Sequence, residues 1–381
     1  MDVGFNYTTN VQGAIVNGKP TGAGNQVAVM DGATGLQGSR WGFKGSEDLG
    51  GGLKAVFQLE NGFSINNGTT GQGGTEFGRQ AYVGLANNRG ALTLGRQYDP
   101  LVDLVGPFAA AAQWAGYIAA HPDDLDNLLN TRRVNNSVKA SAIVLPGLRI
   151  EVLYGAGGVA GAAGRNQVWS IGAGYAVGGL QLGTAYVMAR NPNLSYFGTN
   201  ANAAGVTGNN LGSLGSATAP EQNPVYAGFS SASSLAILGT GAAYTFGSAT
   251  FGATYTNTRF INLGDVATSG PNPLGYAGVA AFNNVEGNFK YQLTPTLLAG
   301  VAFDYTRASP VGGHAGATYW QRAGGVDYSL SKRTDVYGLV VYQQASGIDS
   351  TGHAAVASIT GLTASSNSRQ TALRIGLRHR F

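Results

Sequence analysis

The basic side chains of this chain fall on strand-like alternations, and any chemistry it performs must come from them. In the closing stretch 369–381, Gln370, Arg374, Arg378 and Arg380 share one parity. Thr371, Leu373, Ile375, Leu377 and Phe381 share the other. Successive strand residues point to opposite faces, so one face is basic and the other apolar. The split recurs in 39–45, where Arg40 and Lys44 oppose Trp41 and Phe43. It recurs again in 133–145, where Arg133, Asn135, Ser137 and Lys139 oppose Val134, Val138, Ala142 and Val144. Glu60 lies on the polar parity of 53–63 and can brace an arginine. Arginine stays charged at any relevant pH, and its planar fork suits carboxylate and phosphate. A row of such groups attracts anions and repels cations without making or breaking a bond.

Covalent chemistry lacks its motifs. There is no Gly-x-Ser-x-Gly elbow, no P-loop and no dinucleotide fingerprint. The chain has 4 His, scattered, and no Cys, so neither a metal cluster nor thiolate chemistry is expected. The reading is therefore non-enzymatic, with no cofactor and no metal. The net charge is +4, yet the densest basic groups are only Arg132-Arg133 and the terminal arginines. No nucleic-acid-binding pattern accompanies them, and no nucleic acid is expected as a partner.

The elements that must hold these residues are short alternating strands. Gly is 61 of 381 residues, with no Gly-X-Y period, and it falls at alternate strand positions and in turns. No run of apolar residues is long enough for a membrane helix, which leaves a β-barrel open because its crossings are short. The pattern predicts sixteen strands, the last over 369–381. Short connections, such as Asn87–Gly90 and Pro146-Gly147, alternate with long ones at 10–35, 99–131, 191–231, 262–280 and 345–368. An even strand count with short turns at one rim and long loops at the other is the mark of a membrane barrel. A large soluble all-β protein is the alternative, but it does not keep that asymmetry through seven hairpins. In lipid the polar face must line a wet lumen. The fold class is all-β: one domain, 1–381, forming a 16-stranded antiparallel transmembrane β-barrel.

Residues 99–131 break the rhythm with Pro100, Pro107, an Ala-rich run and His121-Pro-Asp-Asp-Leu-Asp126. Asp99, Asp103, Asp123, Asp124 and Asp126 can oppose the arginines across a pore. Asp123, Asp124 and Asp126 can equally cap a helical start at Leu125. The chain opens Met1-Asp-Val-Gly-Phe-Asn-Tyr-Thr, already strand-like and without a signal peptide, so it is expected to be processed, engineered or truncated there.

Several stretches, in order, resemble the general bacterial outer-membrane porins of the sixteen-stranded trimeric class, most like those of β-proteobacteria. They are Ser39-Arg-Trp-Gly-Phe-Lys-Gly45 with Glu47-Asp-Leu-Gly50, Leu53 to Phe63, Gly78-Arg-Gln-Ala-Tyr-Val-Gly-Leu85, Leu92-Thr-Leu-Gly-Arg-Gln-Tyr98, Arg133-Val-Asn-Asn-Ser-Val138 and the terminal Phe381. The resemblance implies a passive, anion-preferring diffusion channel for small hydrophilic solutes and ions in the outer membrane of a Gram-negative bacterium. It implies a homotrimer, packed through small residues near the first and last strands, among outer-membrane lipid and lipopolysaccharide. It places loop 99–131 inside the barrel and sets Arg40, Arg79 and Arg133 as a basic ladder at the constriction. Lys44, Glu60, Asp99, Asp103 and Lys139 would be secondary pore lining. Two features depart from the family. The first strand begins late, which would leave barrel closure partial or point to a longer precursor. Gly106-Pro-Phe-Ala109 stands where a different loop tip is expected. The alternatives are a channel with a specific site for an organic acid or phosphate, and a non-porin barrel serving as adhesin or enzyme.

Overall fold

The computed structural model describes residues 1–13, 15–16, 19–20, 25–212 and 223–381. Among these, seventeen strands form one antiparallel sheet around a lumen. β1 is Asp2–Val11, β2 Asn25–Asp31, β3 Arg40–Gly50 and β4 Leu53–Gly62. β5 (Gln80–Asn87) and β6 (Gly90–Gln97) form the next hairpin. After an inward excursion come β7 (Val134–Leu145), β8 (Leu148–Gly155), β9 (Val168–Val177) and β10 (Leu180–Arg190). β11 (Ala232–Phe246), β12 (Ala249–Leu263), β13 (Gly278–Gln292) and β14 (Leu297–Ala308) follow. β15 (Thr318–Ser329), β16 (Thr334–Ser346) and β17 (Arg369–His379) complete the wall.

Each strand from β3 to β17 pairs with the next, β17 pairs with β1, and β1 with β2. The strand beyond the expected sixteen is β2, which sits inside the stretch expected to be the polar loop 10–35. Its valines, Val27 and Val29, suit an extended chain, and it covers the edge β1 would otherwise leave bare, with Phe5 opposite Met30 and Tyr7 opposite Ala28. β1 is thus paired on both sides, over seven positions with β17. β3 has a register with β4 alone among the described residues. The sheet is therefore open between β2 and β3, which segment 32–39 joins. Asp2 fastens that segment: its backbone N–H donates to Ser39 Oγ at 3.0 Å, and its carboxylate accepts from Gln37 N–H at 3.2 Å.

The turns follow local rules. Asn87 Oδ1 accepts from the backbone N–H of Arg89 and Gly90 at 2.8 and 3.0 Å, closing the turn expected there. Gly178 and Gly247 adopt φ 57° in the two-residue turns between β9 and β10 and between β11 and β12. Outward residues are large and apolar: Val83 is 60% exposed, Val301 58% and Phe246 73%. Inward residues such as Thr256, Asn284 and Thr306 are buried. β1 and β17 carry Phe5, Leu373 and Ile375 outward, all exposed, rather than the small residues expected there.

The lumen face is not wet throughout. Leu101, Val105, Leu125 and Leu128 of the inward excursion pack with Leu153, Val187, Leu235 and Ile237 of the wall. Tyr196, Phe197, Tyr226 and Phe229 of the long connection after β10 join that cluster. Residues 213–222 of that connection lie outside the described residues. A second cluster sets Ala110, Trp114 and Ile118 against Tyr337, Leu339 and Val341. Loops that fold inward bring their own apolar faces, and the wall beneath them is apolar to match.

Candidate functional site

The excursion between β6 and β7 shapes the lumen. It opens with α1, Pro100–Leu104, and continues as single helical turns to Asp124. Asp99 caps α1, with Oδ1 accepting from Leu101 N–H at 2.9 Å and Val102 N–H at 3.4 Å. Glycines pave its bed. A Cβ at Gly183 would strike the Leu104 carbonyl, one at Gly239 the Leu101 side chain, and one at Gly241 would lie 2.8 Å from the Phe108 ring. A Cβ at Gly300 would lie 2.5 Å from the Trp114 indole. Without side chains there, the loop's Leu101, Phe108 and Trp114 side chains and the Leu104 carbonyl bed directly on the wall.

Its far end is held by charge. His121 Nδ1 lies 2.6 Å from Asp126 Oδ2, and Nε2 lies 3.4 Å from Glu286 on β13 and 3.7 Å from Asp304 on β14. Burial alone would lower the His121 pKa, but the carboxylates of Asp126 and Asp304 and the hydrogen bonds of Asp126 and Glu286 raise it well above the ordinary imidazole range. Burial tends to raise Asp126; the His121 charge, with hydrogen bonds from His121, Thr256 and Leu128, brings it below the usual carboxylate range. Asp123 is pushed up to about 7 by burial, against its hydrogen bond from Ser358 and the charge of Arg132. Asp124 accepts from Leu129 N–H at 2.9 Å and from Thr131 Oγ1 at 2.8 Å. None of the three aspartates faces the pore, and none caps a helix at Leu125. They close turns and tie the loop to its surroundings.

Between this loop and the wall of β3 to β7 lies a cavity of about 610 Å³. Arg40, Arg79, Arg132, Arg133 and Arg378 line it, and the loop contributes Ala111, Ala112, Tyr117, Leu129, Asn130 and Thr131. No carboxylate lines it among the described residues. The three ladder arginines thus share one chamber. Arg79 and Arg133 flank strands rather than occupying them, because β5 begins at Gln80 and β7 at Val134. Arg79 donates through Nε to Glu60 Oε1 and through Nη2 to the Tyr98 hydroxyl at 2.8 Å. Arg133 Nη2 reaches the same hydroxyl at 3.4 Å and Asn130 Oδ1 at 3.2 Å, and its guanidinium lies 5.3 Å from the Tyr98 ring centre. Arg40 is the most open of the three, with Nε 3.9 Å from Glu60 Oε2. Three guanidiniums against one carboxylate leave a net of two positive charges.

The secondary residues divide. Glu60 braces Arg79 and approaches Arg40. Lys44 is exposed, on the parity of Arg40. Lys139 pairs with Asp103 and, at 3.3 Å, with Glu151, so its charge is neutralised outside the chamber. Asp99 is fully buried; its second oxygen accepts from Tyr196 OH at 3.0 Å and Asn127 Nδ2 at 3.2 Å. Burial raises its pKa against those bonds, and it is a structural cap rather than pore lining. Terminal Arg374 bonds Tyr337, Asn6, Asp2 and Asp31, while Arg378 and Arg380 pair with Asp335. Tyr98 and Glu151 escaped the sequence reading. Glu151 shares the parity of Arg149 in its strand, and that alternation could have shown it. Nothing local marks Tyr98 as the hub between two arginines.

A β-sheet barrel with an apolar exterior and a narrowed, charged lumen is the architecture of a transmembrane pore protein. The Gram-negative porin family profile matches residues 1–347. The chain belongs to that family, which comprises outer-membrane channels rather than enzymes, and it resides in the outer membrane. It is 40% identical over 121 residues to an outer membrane porin protein of Bordetella pertussis, covering 31% of this chain and 30% of that protein. It is 38% identical over 112 residues to the major outer membrane protein P.IA of Neisseria meningitidis, covering 26% of this chain and 28% of that one. The match thus spans under a third of these curated relatives. In fold it resembles the anion-selective porin from Comamonas acidovorans, with TM-score 0.65 and 19% identity over 100% of this chain and 99% of the other. It also resembles OmpT of Vibrio cholerae, with TM-score 0.62 and 14% identity over 100% and 97%.

Proposed function

We propose that the chain is a passive diffusion channel for small hydrophilic solutes and ions, and that it prefers anions. The observation that carries the preference is a chamber lined by Arg40, Arg79, Arg133 and two further arginines, with no carboxylate on its lining among the described residues. An ion passing through loses part of its bulk water shield, and fixed charges then act on it at close range. The loop expected to supply an opposing row of acids turns its acids into its own anchors instead. The name of the Comamonas protein agrees with this reading.

The barrel is proposed as sixteen passes of the β-proteobacterial type. β2 and β3 run in the same sense, one after the other, and only β3 ends in a tight turn, so the two are successive parts of one descending pass. Assembly as a homotrimer among outer-membrane lipid and lipopolysaccharide belongs to the same proposal. The exposed Phe5, Leu373 and Ile375 offer an apolar face to lipid or to a second barrel.

The test is single-channel recording in a planar bilayer under a salt gradient, comparing wild type with an Arg40/Arg79/Arg133 triple-Ala variant. Openings in threes and a reversal potential on the anion side, moving toward zero in the variant, are expected. Unchanged selectivity in the variant refutes the ladder as filter, and folded protein without conductance refutes the channel.

A further inference from the structure

The chamber is two-faced, and its second face is apolar. Segment 110–114 covers the wall at β13 and β14. Ala110 N–H donates to Glu286 Oε1 at 2.8 Å, Gln113 Nε2 donates to Asn288 Oδ1 at 3.1 Å, and the Trp114 indole lies over Gly300. These contacts turn Glu286 and Asn288 of β13 into the back of the loop and away from the pore. The middle of the loop turns Ala111, Ala112 and Tyr117 to the chamber, and its end adds Leu129, Asn130 and Thr131. Tyr117 N–H donates to the Gly35 carbonyl at 2.9 Å, its half-buried ring lies against Gly361, and Leu36 is a further apolar lining residue. The opposite wall presents guanidinium forks, with Nη1 of Arg79 beside Gly38.

From this we infer that the pore passes organic monoanions with an apolar face, such as alkyl or aromatic carboxylates, in preference to strongly hydrated anions of equal charge and size. The inference rests on the reading of this lumen as an anion path. A carboxylate fits the arginine fork. Its hydrocarbon part then lies against methyl and ring surface, where water gains nothing by staying. A polyhydroxylated anion in the same place must give up water to methyl and ring surface that returns no hydrogen bonds. The narrowing thus sorts anions by the character of the side turned away from the charge.

The experiment compares hexanoate and gluconate, monocarboxylates with the same number of carbon atoms, as potassium salts across a planar bilayer at about pH 8, where both are ionised. Current through a protein-free bilayer is subtracted. The permeability ratio of hexanoate to gluconate, taken from reversal potentials, is expected to exceed the ratio of their aqueous mobilities by about threefold. Ala112, exposed on the loop, is the residue to change. In Ala112→Asn the ratio should fall toward the mobility ratio while the preference for chloride over potassium stays. A wild-type ratio equal to the mobility ratio, with chloride still preferred, overturns the inference and leaves the anion channel standing. Loss of chloride preference in wild type overturns both. An unchanged ratio in Ala112→Asn removes the loop face as its cause and overturns the inference as stated.

Discussion

Placing one carboxylate opposite the arginines should lower anion selectivity by a calculable amount. Ala112→Asp does this with little disturbance, since Ala112 is exposed to the chamber and its methyl makes no anchoring contact. A cavity of about 610 Å³ corresponds to a sphere of about 5 Å radius, and two unit charges at that distance in water interact by about 0.8 kcal/mol. At 0.1 M salt, with a Debye length of about 10 Å, about 0.5 kcal/mol remains. The new charge repels an anion and attracts a cation by that amount. The anion-to-cation permeability ratio should then fall about fivefold, since a tenfold change corresponds to about 1.4 kcal/mol. At 1 M salt the Debye length is about 3 Å, and the change should shrink below about twofold. The assay is the reversal potential under a potassium chloride gradient at both concentrations. No change at low salt, or the same change at both, refutes the claim that an unopposed electrostatic chamber sets selectivity.

Tyr98→Phe removes the hydroxyl shared by Arg79 and Arg133. A hydrogen bond to a charged group is worth about 1.5 kcal/mol or more, less in a wet lumen, so open-channel noise should rise and anion selectivity fall while the thermal unfolding midpoint of the barrel stays. Gly183→Val should lift the loop from its bed at Leu104 and enlarge the single-channel conductance. Gly287→Val on β13, where nothing lies within 4 Å, should not, and equal effects of the two on conductance would count against the glycine bed. Loop docking should weaken as pH rises. Docked His121, facing Asp126, Glu286 and Asp304, holds a proton above its ordinary pKa near 6.5, so its contribution is complete below about 6.5 and lost as pH climbs through the raised value. Docked Asp123, facing Ser358 and Arg132, takes up a proton at about 7 rather than near 3.8, and weakens docking over that window in the same direction. Asp126, with its lowered pKa, matters only in strong acid. Gating noise should therefore grow from pH 6 to pH 9, and less so in His121→Gln. Noise that grows toward acid instead contradicts the assignment.

Most of the wall was legible because a strand writes its two faces into alternate residues. Arg40 against Trp41 and Phe43 needed nothing else, and the turn at Asn87–Gly90 carried its own geometry. β2 was not legible, because Val27 and Val29 form a strand only to cover the edge of β1, a tertiary fact. The site divides along the same line. Arg40, Arg79 and Arg133 line one cavity, and Glu60 contacts the first two. Asp99 was misread because a carboxylate before Pro100 serves a pore or a helix cap with the same residue types, and only burial separates the two. Lys139 was misread because its neutralising partner Glu151 sits one strand away.

That division explains how a chain with 23 Lys and Arg against 19 Asp and Glu can still hold a chamber with a net positive charge. The overall excess is small, and under the proposed anion preference selectivity would depend on where the acids are consumed. Asp103 and Glu151 neutralise Lys139. Asp335 holds Arg378 and Arg380, and Asp2 with Asp31 holds Arg374. Asp126, Glu286 and Asp304 gather round His121 behind the loop. Each pairing satisfies a charge the fold must hold beside a lumen wall, and each removes a carboxylate from the path of a passing ion. The loop can give up its acids because it is held by Leu101, Leu104, Phe108 and Trp114 on a glycine bed, so its pore face needs no charge of its own. Apolar anchoring of the loop is what leaves the chamber arginines facing no loop carboxylate.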